Sequence, residues 1–292
     1  MARQILHQSI AVDGIDVFYR TAGDRKHPPL LLLHGFPSSS AMFKNLMIAL
    51  SDRCYLVAPD YPGFGFSAFP GSRHFEYSFR NISDCINKFT DAIGLKTFTV
   101  YLHDYGCPIG LRLCVNHPEK IERIIVQNGN AYDEGIGPQW DETIDYWQNP
   151  TPEKKEKVAG FLSEEGTKMQ YTAGVPEELL PRISPELWML DWERMKRPGN
   201  IDMQFELNCD FKTNIDMFPV FQAYFRTHQP PALIIWGKYD VFFGVEEAYC
   251  YQRDLPDAQV HVIDGGHKAL ETNFDEVLSL IDDFLCEKGV VR

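Results

Sequence analysis

The sequence predicts an α/β protein: a mostly parallel, doubly wound sheet with a helical lid inserted into it. Three observations predict it. Short apolar runs alternate with helix-compatible stretches over the first 128 residues, the pattern that makes parallel strands joined by crossover helices. The alternation then stops for about a hundred residues that read as helical, broken by Pro and Gly and holding Trp140, Trp147, Trp188 and Trp192. It resumes after Pro230-Pro231 with Ala232 to Trp236 and Gln259 to Ile263. The expected division is a first part of the core over residues 1–128, a lid over 129–229 and a second part of the core over 230–292.

Each element follows from a local pattern. Residues 5–20 alternate apolar and polar on either side of Asp13-Gly14, which predicts two antiparallel strands joined by a type I′ turn. After Pro28-Pro29 the run Leu30 to Leu33 is wholly apolar, as in a strand covered on both faces, and it enters His34-Gly35-Phe36-Pro37. A helix over about 40–51 and a strand from Tyr55 to Ala58 lead to Asp60-Tyr61-Pro62-Gly63-Phe64-Gly65-Phe66-Ser67. Phe79, Ile82, Cys85, Ile86, Phe89 and Ile93 share one helical face, and Gly94 stands where a C-terminal cap belongs. Phe98 to Leu102 is a strand that stops at His103-Asp104-Tyr105-Gly106, and a helix-compatible segment from Pro108 to about His117 precedes the strand Ile124 to Gln127. Asn273 with Glu276 makes a capping box for a last amphipathic helix, Phe274 to Cys286.

Composition narrows the function. Apolar residues make up 44% and aromatic ones 13%, which is the make-up of a packed domain and not of a disordered chain. A net charge of −13 and a pI near 5.1 argue against nucleic-acid or anionic-membrane partners, which attract basic patches. The seven cysteines carry no C-x-x-C pair and their number is odd, so a reducing compartment is expected. The first residues lack the apolar core of a signal peptide, and the pure apolar run Leu30 to Leu33 is too short to span a bilayer. The expectation is a soluble, cytoplasmic monomer or homodimer acting on a small apolar substrate, with no metal and no cofactor.

In a parallel sheet, ligands bind beyond the carboxyl ends of the strands. Those ends carry His34-Gly35-Phe36-Pro37, Asp60, Asp104-Tyr105, Asn128, Asp240 and His267. A strand, tight turn and helix with one carboxylate at the apex, Asp104, is followed along the chain by an acid and then a histidine. That is the chain order of a nucleophile, acid and base in hydrolytic triads. Singly, Asp104 reads equally well as a helix cap, Asp240 as a turn former and His267 as a surface histidine. Together the three point to chemistry.

With HGFP, D-x-P-G-F-G-x-S, HDYG, WGKYD and GGHKALE in place, the sequence resembles the α/β-hydrolase superfamily, and within it the aspartate-nucleophile branch of epoxide hydrolases and haloalkane dehalogenases. The resemblance covers nearly the whole core and only loosely the lid. It implies that Asp104 attacks carbon to form an alkyl ester, that His267 then activates water, and that Asp240 orients the imidazole. It places the oxyanion donors at the backbone N–H groups of Phe36 and Tyr105. The branch has a second acid position, occupied here by Asn128, which cannot carry the charge; Asp133 and Glu134 lie just beyond, and Asp240 is preferred. Asn128 and Tyr105 also stand as substrate or leaving-group contacts.

The departures from the pattern bear on the substrate. Dehalogenases commonly have tryptophan after the nucleophile and asparagine after His-Gly; Tyr105 and Phe36 stand there instead, which weakens a halide clamp. Fluoroacetate dehalogenases carry arginines around the nucleophile, where this chain has Tyr105 and Pro108, so a carboxylate substrate is disfavoured. Epoxide hydrolases protonate the ring oxygen from lid tyrosines, and among Tyr132, Tyr146, Tyr171 and Tyr224 the best placed in sequence is Tyr224. Epoxide hydrolysis is therefore preferred over haloalkane dehalogenation. A third reading, a ligand-binding module that retains the fold without turnover, is disfavoured by the presence of all three triad candidates.

Overall fold

The expected turn at Asp13-Gly14 forms as the sequence predicts: both residues have positive φ, 49° and 80°, and β1 (Leu6–Val12) pairs antiparallel with β2 (Ile15–Ala22). The computed structural model describes residues 4–71 and 73–286, so residues 1–3, 72 and 287–292 of the expected segments lie outside the described residues. Six further strands complete the sheet: β3 (Pro29–Leu33), β4 (Tyr55–Pro59), β5 (Phe98–His103), β6 (Ile121–Gln127), β7 (Ala232–Gly237) and β8 (Gln259–Ile263). Their order is β1-β2-β4-β3-β5-β6-β7-β8. β2 meets β4 antiparallel, and the strands from β4 to β8 in that order are parallel.

Helices α1 (Lys44–Leu50), α2 (Phe79–Ala92) and α3 (Gly106–Asn116) connect the first strands. Between β6 and β7 the described chain forms no strand: it runs through α4 (Asp141–Gln148), α5 (Pro152–Val158), α6 (Glu164–Thr172), α7 (Pro185–Met195), α8 (Asn200–Asp210), α9 (Lys212–Ile215) and α10 (Phe218–His228). The last section holds α11 (Glu247–Cys250), α12 (Ala269–Thr272) and α13 (Phe274–Cys286). The helix α10 packs on α3. Among the described residues no helix is long and apolar enough to cross a membrane.

The apolar run in β3 explains the two-sided architecture. Side chains alternate across a strand, so Leu31 and Leu33 enter one core with Val100, Leu102, Phe79 and Phe89, while Leu30 and Leu32 enter another with Phe43, Leu46, Val277 and Ile281. Both faces being covered, β3 and β5 need apolar residues throughout, and their residues are buried almost without exception.

The strand order reverses beside β3: the chain first goes to β4 on one side and then to β5 on the other. Such a switch point opens a crevice at the carboxyl ends of the two strands. Leu33 is in register with Leu102, so the turn after β3 and the turn after β5 emerge side by side. Asp104 takes the left-handed conformation, φ 52°, which costs a residue other than Gly on the order of 1–3 kcal/mol. The turn also demands Gly106: a Cβ there would lie 2.2 Å from the carbonyl oxygen of Leu33. That oxygen belongs to the sheet backbone and cannot swing aside. Gly106→Ala is accordingly expected to destabilise the fold by about 1–3 kcal/mol or more, the usual cost of overpacking a core, read as a lowered midpoint of denaturant unfolding.

Candidate active site

The turns after β3 and β5 hold the same carboxylate between them. Asp104 is 6% exposed; its Oδ1 accepts a hydrogen bond from the backbone N–H of Phe36, and the Tyr105 N–H also donates to the carboxylate. Gly35 makes the approach possible, because a Cβ at that position would fall 2.2 Å from Asp104 Oδ1. Both backbone donors singled out in the sequence therefore converge on one carboxyl group. Burial pushes the Asp104 pKa up, and His267, Lys268 and the two N–H groups oppose that shift.

Across the crevice, the loop after β8 brings His267 to Asp104, with Nε2 3.8 Å from Oδ2. The other ring nitrogen, Nδ1, lies 2.8 Å from Asp240 Oδ2. An ionised aspartate only accepts, so Nδ1 carries the proton and Nε2 presents a lone pair. That Nε2 is buried and has no hydrogen-bond partner. The rings of Phe242 and Phe243 pack edge-on to the imidazole, at 5.3 and 5.5 Å between centroids. An imidazole so held can accept a proton from water beside the carboxylate.

Asp240 is held from four directions. Its Oδ1 accepts from the N–H groups of Phe242 (2.7 Å) and Phe243 (3.2 Å), and its Oδ2 from Asn128 Nδ2 (2.7 Å) as well as from His267. The place of Asn128 corrects an expectation. It is fully buried, its Oδ1 accepts from Gly237 N at 3.0 Å, and its amide therefore turns Nδ2 toward Asp240. Asn128 does not line the cavity over Asp104; it is a neutral donor to Asp240 that a second carboxylate could not replace without like-charge repulsion. Of the other two acids, Asp133 and Glu134, the latter pairs with Arg253 at the surface.

A cavity of about 170 Å³ opens over Asp104. The core contributes Phe36, Tyr105, Phe242 and Phe243, and the helical insertion contributes Trp140, Thr143, Phe161, Gln170 and Asn208 among others. The space is smaller than the ~300–1,000 Å³ of sites for drug-sized ligands and suits a small, largely apolar molecule. The Tyr105 side chain reaches into it and pairs with Asn208. Burial holds the Tyr105 phenol protonated far above its ordinary range.

Tyr224 is the second correction. It lies on α10, stacked on His228 (4.9 Å between ring centroids) and paired with Cys114 near the far end of α3, not in the cavity. Placement in sequence points elsewhere because nothing local shows that this face of α10 packs on α3. The other three tyrosines are also committed: Tyr132 donates to Asp254 (2.8 Å), Tyr171 donates to Asp191 (2.5 Å), and Tyr146 packs on Phe205 (5.5 Å). Asn208, Gln170 and Trp140 were missed by sequence reading, since nothing in the local pattern of a helix tells which of its faces will meet a cavity formed by distant segments. Asp60, which follows β4, is structural: fully buried, it accepts from Ser40 N and Phe66 N at 2.7 Å each and pairs with Arg20.

The model of the alpha/beta hydrolase fold family matches residues 28–274. The chain is 36% identical to an uncharacterized hydrolase, YNR064C, of Saccharomyces cerevisiae, over 94% of this chain and 96% of that one. It is 28% identical to a cis-3-alkyl-4-alkyloxetan-2-one decarboxylase of Shewanella oneidensis, over 89% of this chain and 82% of the other. Among solved structures it resembles the epoxide hydrolase VrEH1 from Vigna radiata, with a TM-score of 0.72, 22% identity and coverage of 96% and 97% of the two chains. Removing the Tyr224 hydroxyl is expected to leave turnover within about twofold and to cost at most about 1.5 kcal/mol of stability, the worth of one hydrogen bond; steady-state rates and unfolding of Tyr224→Phe check it.

Proposed function

The chain belongs to the alpha/beta hydrolase fold family, and from that membership we propose that it hydrolyses a small apolar epoxide through a covalent ester on Asp104. The observation that carries the reading is a carboxylate and a protonated phenol, Asp104 and Tyr105, lining one cavity, with the carboxylate held by two backbone N–H groups and an unpartnered imidazole nitrogen 3.8 Å behind it. A carboxylate is ionised without help from a base, so it can displace oxygen from a saturated carbon. In the first step an oxygen of Asp104 bonds to a ring carbon, the ring C–O bond breaks, and the freed oxygen takes the Tyr105 proton.

In the second step His267 Nε2 takes a proton from water and the hydroxide adds to the Asp104 carbonyl carbon. The tetrahedral oxyanion forms on an oxygen of Asp104 itself, where Phe36 N–H and Tyr105 N–H already point. Such preorganised donors are commonly the largest catalytic contribution. The intermediate collapses, the departing alcohol oxygen takes the proton from His267, and the proton left on the Asp104 carboxyl returns to Tyr105. The balance is epoxide plus water giving a diol.

Two observations favour a strained C–O bond over a carbon–halogen bond. The Trp140 indole N–H is engaged by the Phe242 carbonyl at 3.1 Å, so it is not free to hold a departing halide. The relative from Shewanella oneidensis takes its name from an oxetan-2-one, also a strained cyclic oxygen compound. Haloalkane dehalogenation is the alternative outcome of the test.

Asp104→Ala is expected to abolish turnover, and His267→Gln to stop after the first step and accumulate an alkyl ester on the peptide spanning residues 97–112, seen by mass spectrometry after incubation with small terminal epoxides. Tyr105→Phe should slow epoxide opening by about 10²-fold or more, the usual scale for a positioned acid. Unchanged epoxide turnover in Tyr105→Phe removes that residue from the role. Bromide release from bromoalkanes outpacing epoxide opening in the wild-type protein replaces the substrate class.

A further inference from the structure

One charged side chain near Asp104 has no part in the chemistry above. Lys268 follows His267 directly, yet it is 2% exposed, and lysine is almost never fully buried without partners. Its Nζ donates to the Phe36 carbonyl oxygen (3.1 Å), to Ser38 Oγ (3.2 Å) and to His103 Nε2 (3.2 Å). An ammonium has three donors and no acceptor, so these three contacts use all of them. They also settle the tautomer of His103: Nε2 must accept, which leaves the proton on Nδ1, and Nδ1 sits 2.9 Å from the carbonyl of Gln127.

The first of these contacts reaches the peptide of the very residue whose N–H holds Asp104. Phe36 thus has its carbonyl tied to Lys268 and its amide tied to the carboxylate. The second contact reaches the insertion, because Ser38 Oγ also pairs with Tyr171 OH at 3.2 Å, and Tyr171 donates to Asp191 at 2.5 Å. The Lys268 ammonium lies 5.5 Å from the centroid of the Tyr171 ring. Resting on the proposal that Asp104 is the nucleophile, we infer that Lys268 is a positioning residue for it. Its buried ammonium braces the Phe36 turn and supplies a positive charge that favours the ionised Asp104 carboxylate for the first step.

The surrounding charges are consistent with that role. Burial lowers the Lys268 pKa, and the carboxyl groups facing it, Asp104, Asp191, Asp240 and Glu271, oppose that shift; His34 and His103 lie on the core side. Burial pushes Asp191 and Glu271 each up to about 7, so near neutral pH neither fully neutralises the cation. Burial first, and then Lys268 itself, lowers the pKa of His103 well below its usual range, so that ring stays neutral. Asp104 is faced by His267 and Lys268, both of which lower its pKa, and by the phenols of Tyr61 and Tyr105.

The sign of the effect follows. The first step needs ionised Asp104, so its rate rises with pH through the pKa of that group. Removing the cation raises that pKa and moves the acid limb upward. The test measures the rate of ester formation against pH in the His267→Gln background, where the second step does not interfere, with Lys268→Met, Lys268→Gln and Lys268→Arg added in turn. The two neutral variants are expected to shift the acid limb up by about one pH unit and to slow ester formation about tenfold on that limb, one pKa unit being tenfold in the ionised fraction. Lys268→Arg, which keeps the charge, should leave the limb near its original place. Lys268→Gln keeps a donor for the Phe36 carbonyl and so serves if Lys268→Met does not fold.

A folded neutral variant with an unshifted limb and a rate within twofold overturns the inference. So does failure of both neutral variants to fold while Lys268→Arg folds, which would make the residue structural only. Absence of any ester in the His267→Gln parent is a different result: it overturns the nucleophile reading first, and the role of Lys268 with it.

Discussion

The hydrogen bond from Phe36 N–H to Asp104 Oδ1 joins two turns that are 68 residues apart in the chain, and the rest of the site is arranged around it. It can form only because β3 and β5 are neighbours at the point where the strand order reverses. It needs no side chain at Gly35, and it needs Asp104 in a left-handed turn that lifts the carboxylate off the end of the sheet. The strain in that turn is small beside the rigidity of two strands buried on both faces. A local conformation that an isolated peptide would avoid is thus imposed by the sheet.

The two aspartates of the site face opposite electrostatic demands, and their surroundings differ accordingly. Asp240 receives two backbone N–H groups, an asparagine amide and an imidazole N–H, which leaves its oxygens little capacity to react. Asp104 receives the Phe36 N–H on Oδ1, and its Oδ2 stands 3.8 Å from His267 Nε2, beyond hydrogen-bond reach. The same residue type is thus fully satisfied in one place and half-satisfied in the other. That difference in coordination, more than the identity of the side chain, separates an orienting carboxylate from one proposed to attack carbon.

Much of this was legible in the sequence where local backbone requirements leave a mark. The hairpin at Asp13-Gly14, the apolar β3 and the turns at His34-Gly35 and His103-Asp104 are short-range patterns, and each appears where the pattern puts it. Asp104, Asp240 and His267 come together because each follows a strand of a parallel sheet at its carboxyl end, the side the alternation marks for ligands. The misreadings concern features fixed by long-range packing. Tyr224 lies at the far end of α3 because α10 packs on that helix, and Asn128 turns its amide to Asp240 because Gly237 N–H claims its carbonyl. Lys268 gave no signal at all: a lysine in a Gly-rich loop reads as solvated until three distant acceptors, Phe36, Ser38 and His103, are known to surround it.

The Phe242 carbonyl, which receives the Trp140 N–H and the Gln139 amide, belongs to the loop whose own N–H groups hold Asp240. The cavity wall formed by the insertion is therefore stitched to the seat of the acid. A substrate passing through that wall would have to break both bonds, at about 0.5–1.5 kcal/mol each, and would loosen Asp240 while doing so. The stitch thus acts as a doorpost: the wall that the insertion gives the cavity and the seat of the acid share one short loop, so a shift of either is felt by the other.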